Sequence, residues 1–146
     1  MKSLQVFNAD GERMFVIVLD PGEEAFAALS GFARDNRIKA ASLTAIGAFS
    51  RATLGWFDLR AKTYKPFEIK QPCEALSFVG DLAEDEEGGP SLHLHGVVGL
   101  SDGATRGGHL LRATVQPTLE VTLTETPARV HWRKQPGRGM ALIRLP

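Results

Sequence analysis

Three histidines in one short stretch, His93, His95 and His109 of SLHLHGVVGLSDGATRGGHLL, supply the side chain best suited to ligate a transition metal or move a proton near neutral pH. In an extended strand, residues two apart point to the same side and lie about 6.5–7 Å apart. His93 and His95 therefore share one face while Leu92 and Leu94 share the other. Whether His109 joins them depends on the turn between. A three-residue loop at Ser101-Asp102-Gly103, with Gly103 in the left-handed conformation such loops favour, sets Leu100 opposite Ala104 and His95 opposite His109. Cross-strand partners share a face with Cβ atoms about 5 Å apart. Three converging imidazoles can hold a divalent metal such as zinc, with bonds of about 2.0–2.1 Å and one position left open. A two-residue loop at Asp102-Gly103 instead pairs His109 with Gly96 and turns it to the opposite face, leaving a structural hairpin. Gly107 and Gly108 fit either a bulge that re-aims His109 or a simple edge distortion.

Other groups are less constrained by spacing. Glu68, Glu74 and Asp102 are candidate bases for a metal-bound water, although Asp102 also reads as a turn residue and Glu68 as a strand-surface charge. Arg51 and Arg106 are candidate contacts for an anion at the histidines, Arg106 being three residues from His109. Cys73, the single cysteine, has no neighbouring histidine in sequence and reads as a small buried hydrophobe. Trp56 and Phe57 read as core or interface aromatics, and His131 as a solvent-titrating side chain. Arg129, Arg133, Lys134 and Arg138, with Trp132 as a stacking residue, form a basic strip that suits either nucleic acid or a solvated tail. There is no phosphate-cradling P-loop or dinucleotide glycine fingerprint.

The elements that must position these residues are mostly strands. LQVF and RMFVIVLD, split by Asn8-Ala9-Asp10-Gly11, predict an antiparallel hairpin. Asp20-Pro21-Gly22-Glu23 has the composition of a capped helix start, and Phe26, Leu29, Phe32 and Ala33 recur at helical spacing, which predicts one helix over Pro21–Asp35. Extended segments follow at Lys39–Phe49, Arg51–Leu59, Tyr64–Ile69 and Cys73–Ala83. The acidic, glycine-rich Ala83–Pro90 is expected to be a solvated loop. SLHLHGVVGL, GGHLLRATV and TLEVTLTE complete the strands, and 127–146 adds a further strand or tail. The expected architecture is α+β, a mainly antiparallel sheet with one main helix packed on it. One helix covers only part of a sheet face. Val98, Leu110, Leu111 and TLEVTL are then available to bury against another subunit, so an oligomer is expected.

The 146 residues fit a single domain, 1–146, with one core. Seventeen basic residues balance seventeen acidic ones, so no global field recruits nucleic acid or an anionic membrane. The absence of a signal-peptide pattern in MKSLQVFNADGERMFVIVLD and the lone cysteine make the cytoplasm the expected compartment. No apolar run approaches the twenty or so residues that span a bilayer, so no membrane partner is expected.

Four stretches in order resemble the PPC (plant and prokaryote conserved, or PCC) domain family: ASLTAIGAFSRATLGWFD, YKPFEIKQPCEALSFVGDLA, SLHLHGVVGLSDGATRGGHLL and TLEVTLTE. The resemblance covers about Met14 to Glu125 (14–125), and its most specific part is the His-x-His, turn, Gly-Gly-His element. It implies a stand-alone prokaryotic type of PPC-domain fold, trimer-forming, and a metal-binding cluster at His93, His95 and His109. What it implies about function is a homotrimeric, metal-binding interaction or ligand-sensing module with no defined reaction, able to take a small ligand or anion at the histidines. A DNA-associated regulator is the first alternative and a metal-dependent enzyme the second. The family's plant members carry a separate AT-hook with an Arg-Gly-Arg-Pro core. Here the nearest string, KQPGRGM, has Pro-Gly-Arg-Gly instead.

Overall fold

The computed structural model describes residues 1–126, 131–134 and 141–144. The chain opens with the expected hairpin, β1 (Lys2–Ala9) against β2 (Glu12–Leu19), turned at Asp10 and Gly11 with φ of 53° and 81°. Helix α1 spans Ala25–Asp35 and starts four residues later than its sequence suggests. Gly22 has φ 87°, which a helical first turn cannot contain, and its N–H donates to the Val115 carbonyl at 2.9 Å. The cap is Glu24, whose carboxylate accepts the N–H groups of Phe26 and Ala27. The reciprocal contact expected of a capping box survives in part, since Asp20 N–H donates to Glu23 Oε2 at 2.7 Å, but it closes a turn before the helix.

The remaining described strands are β3 (Ala41–Asp58), β4 (Thr63–Ile69), β5 (Cys73–Glu84), β6 (Pro90–Gly99), β7 (Thr105–Glu125), β8 (His131–Lys134) and β9 (Ala141–Arg144). Two expected breaks are absent. Lys39–Phe49 and Arg51–Leu59 lie on one strand, β3, which absorbs the interruption as register shifts around Gly47 and Ser50. At Gly47 (φ 150°) a Cβ would run into the Thr118 carbonyl, so the close approach of β3 and β7 there requires glycine. GGHLLRATV and TLEVTLTE likewise form one strand, β7, which continues through a cis Gln116–Pro117 bond.

β7 pairs with β6 over its first residues and with β3 over most of its length, β3 pairs with β5, and β5 with β6. These four strands close a ring, which β4 extends along β3 and the β1–β2 hairpin extends along β7. Closure decides burial. Residues expected to lie on an uncovered sheet face, Val98 and Leu110, are 0 % and 1 % exposed, and Leu119, Val121 and Leu123 of TLEVTL are equally enclosed. They belong to this chain's own core, together with Leu29, Phe32 and Ala33 of α1, which packs against β6 and β7. Phe15 meets Phe32 edge-to-face at 5.3 Å, and Phe49 meets Phe78 at 5.4 Å. Leu111 is only half-buried. The apolar residues that remain outside are others, among them Ile46, Leu76, Val79 and Val16 on the sheet's outer face and Leu4, Val6 and Phe7 of β1.

Candidate metal centre

The turn between β6 and β7 takes the three-residue form. Leu100 N–H donates to the Ala104 carbonyl at 2.8 Å and Gly103 has φ 81°. Asp102 is a turn residue, its Oδ1 accepting the Ala104 N–H at 2.9 Å. The register that follows runs regularly from Gly99↔Thr105 to His95↔His109. On β6 the alternation is strict: Leu92, Leu94 and Val98 turn into the core, while His93 and His95 turn out.

All three imidazoles therefore meet on the outer face. Nε2 of His95 lies 3.0 Å from Nε2 of His93, and ring centroids are 4.8 Å (His93–His95), 5.0 Å (His93–His109) and 5.3 Å (His95–His109) apart. One nitrogen from each ring falls within 4.8 Å of the others, and no other comparable group of histidine, cysteine or acidic residues occurs among the described residues. Two buried polar atoms at the site lack a hydrogen-bond partner, His109 Nδ1 and Asp81 Oδ1. Such orphans are rare in folded proteins and call for a partner such as an ion. Burial and the two neighbouring imidazoles push His109 down to about 4, and burial followed by His93 also lowers His95. His95 and His109 are thus biased to the neutral form, the form that ligates metal.

The supporting shell is aromatic on one side and acidic on the other. Tyr64 of β4 stacks on His109 at 4.5 Å and is itself met edge-on by Phe57 at 5.1 Å. Gly55, opposite His109, leaves the space that Tyr64 and Leu111 fill, since a Cβ there would approach both side chains at 3.0–3.1 Å. Asp81 of β5 stands opposite His93, with Oδ2 3.9 Å from Nδ1. Sequence inspection missed Asp81. Its signal is parity across a second strand pair, which becomes legible only once the β5–β6 register is known.

The proposed bases are elsewhere. Glu68 pairs with Lys70 at 3.1 Å and Glu74 lies opposite Gly99 at the far end of β5. Arg106 is not at the histidines either. It stands opposite Val98, hence on the face opposite His109, and lines a groove with Phe67 and Leu100. The odd spacing of three in a regular strand dictates that placement. Arg51 donates to Thr114 Oγ1 at 3.3 Å, four residues along β3 from the Gly55–His109 pair. Cys73 is buried, as expected, and burial raises its thiol. Trp56 is not a core residue: it is 61 % exposed with Lys65 over its ring. Of the basic strip, Arg129 and Arg138 lie outside the described residues. The same holds for the side chains of His131, Trp132, Arg133 and Lys134, whose backbone forms β8.

Residues 7–127 match the sequence model of the Plants and Prokaryotes Conserved (PCC) domain. Three solved structures share the fold over nearly their full lengths. A plant- and prokaryote-conserved (PPC) protein from Pyrococcus horikoshii is 26 % identical with TM-score 0.86, covering 92 % of each chain. A "putative DNA-binding protein" from Ralstonia eutropha JMP134 is 34 % identical with TM-score 0.83, covering 90 % of this chain and 91 % of that one. A metal-containing protein from Archaeoglobus fulgidus is 29 % identical with TM-score 0.85, covering 97 % and 100 %. The chain also matches a Synechococcus protein named bifunctional protein GlmU at 28 % identity over 135 residues. That match takes in 91 % of this chain and spans only 20 % of that protein.

Proposed function

The chain belongs to the Plants and Prokaryotes Conserved (PCC) domain family, and from that membership we propose that it is a metal-binding interaction or ligand-sensing module that works as a homotrimer. The observation that carries the reading is the convergence of His93, His95 and His109 beside two orphaned buried atoms, His109 Nδ1 and Asp81 Oδ1. The donor set fits a divalent metal such as zinc: three imidazoles, drawn from two adjacent strands, with an open side. A bound ion of this kind supplies a Lewis-acidic position for a small ligand or anion. The chain's own residues set the geometry. Tyr64 stacks on His109, and Asp81 stands 3.9 Å from His93 Nδ1, on the side where carboxylates behind metal-ligating histidines stand. The similar metal-containing protein from Archaeoglobus fulgidus supports the reading.

Self-association is supported by the outer face, where Ile46 is 59 % and Val79 52 % exposed, Val79 standing opposite His95. A site on such a face lies next to a subunit boundary. Light scattering on the purified protein should give about three times the 15.8 kDa chain mass; a monomer contradicts the assembly. Elemental analysis of protein purified without an affinity tag tests the metal. We expect close to one equivalent per chain, lost in His93→Ala/His95→Ala; less than one equivalent per three chains, unchanged in that variant, overturns the reading.

A DNA-associated regulator is the second reading, supported by the similar Ralstonia eutropha protein. With zero net charge, binding would have to come from a local strip, and a salt-dependent shift assay on intact and tail-truncated protein tests it. No shift at low salt removes it. A metal-dependent enzyme, the third reading, has lost its proposed bases Glu68, Glu74 and Asp102 and would have to use Asp81.

A further inference from the structure

We propose a second, separate ligand site: an oxyanion platform on the outer face of β4, β3 and β7 that takes the phosphoryl group of a small molecule. The register places its residues as a grid. Thr53 stands between Glu68 of β4 and Arg112 of β7, and Arg51, two residues back, stands opposite Thr114. Ala52 between them, with its partners Ile69 and Ala113, is buried (4 %, 6 % and 0 %), so the grid residues on either side point away from the core. Lys70, just past Ile69, closes the cationic side. Together with Ser50 these residues line an open cleft of about 640 Å³, large enough for an anion attached to a small organic body.

Charge in the cleft favours an anion. Arg13 is paired with Glu125, Lys39 with Glu84 and Lys65 with Asp58. Glu68, the one acid on the platform, is engaged by Lys70 at 3.1 Å. On the platform, Arg51 and Arg112 have no carboxylate partner among the described residues; other surface cations also lack one, but these two line the same cleft. Diagonal neighbours on adjacent strands lie about 7–8 Å apart at most, and like charges at such positions repel. A dianion between them removes the repulsion and matches the forked donors of guanidinium groups. The Arg51 guanidinium is already oriented, since its Nε donates to Thr114 Oγ1 at 3.3 Å and the terminal nitrogens are left to face a ligand. The Thr53 hydroxyl adds a neutral donor at the rim, while the Ser50 hydroxyl donates to the Thr114 carbonyl at 3.4 Å.

Inorganic phosphate, titrated calorimetrically into full-length protein at fixed ionic strength, is the probe. The expected result is saturable binding in the millimolar range or tighter, one site per chain, weakened at least tenfold in Arg51→Gln/Arg112→Gln. The variants keep the apolar stems, and unchanged circular dichroism shows that they fold. Binding should persist in His93→Ala/His95→Ala and in chelator-treated protein, which separates this site from the histidine cluster. Absence of saturable binding in protein with a native spectrum, equal binding in the arginine variant, or loss of binding with the histidines each overturns the proposal. So does arginine-dependent binding of duplex DNA with none of phosphate.

Discussion

The two faces of the β6–β7 hairpin are made from alternate residues of the same strands, yet they obey different rules. Inward, Leu92, Leu94, Val98 and Leu110 are at most 6 % exposed and are held by packing alone. Outward, His93 and His95 bring their Nε2 atoms to 3.0 Å and His109 offers a nitrogen within 4.8 Å of both rings' ligand atoms, with neighbouring polar atoms left unsatisfied. One face stabilises the fold; the other gives up some of that stability to hold three imidazoles together. The comparison teaches that the site is cheap to remove and the scaffold is not.

Substitutions can break that contrast or sharpen it. The largest effect is expected at Leu94→Ala, about 2–5 kcal/mol lower stability in chemical denaturation, because the closed ring cannot collapse into the space left behind. Gly96→Ala comes next, at about 1–3 kcal/mol, since the new Cβ would overlap the Phe78 ring, itself buried against Phe49. Gly103→Ala in the turn should cost about 1 kcal/mol through its positive φ, and it should lower metal content, because the turn sets the His95–His109 register. By contrast, His93→Ala/His95→Ala should leave metal-free stability within about 0.5 kcal/mol while abolishing metal binding. An inward-sized loss of stability in that variant would erase the distinction between the faces.

The outward face also responds to pH. His109 stays neutral in the folded chain down to about 4, whereas the unfolded chain takes up that proton near 6.5. The unfolded state therefore binds more protons between these values, and the metal-free protein loses stability as pH falls from 6.5 towards 4. Denaturation midpoints across that range should show the decline, and His109→Asn should flatten it.

Much of this arrangement was legible in the sequence because it rests on parity. The spacing of His93 and His95 and the Ser-Asp-Gly turn are local, so they sufficed to anticipate the shared face and its condition. The helix start was misread because Gly22 adopts a left-handed turn that composition does not reveal; Asp20 and Glu23 do contact each other, in a different element. Val98 and Leu110 were misassigned because ring closure is a long-range property of β5, β6, β7 and β3 pairing. Asp81 was invisible for the same reason. Arg106 could have been placed correctly, since an odd spacing in a regular strand turns it from His109.

X-ray absorption at the metal edge of zinc-loaded protein tests the central claim most directly. Three imidazole nitrogens at about 2.0–2.1 Å, falling to two in His109→Ala, are predicted. A shell of oxygen atoms, or a spectrum that does not change in His109→Ala, would contradict the account.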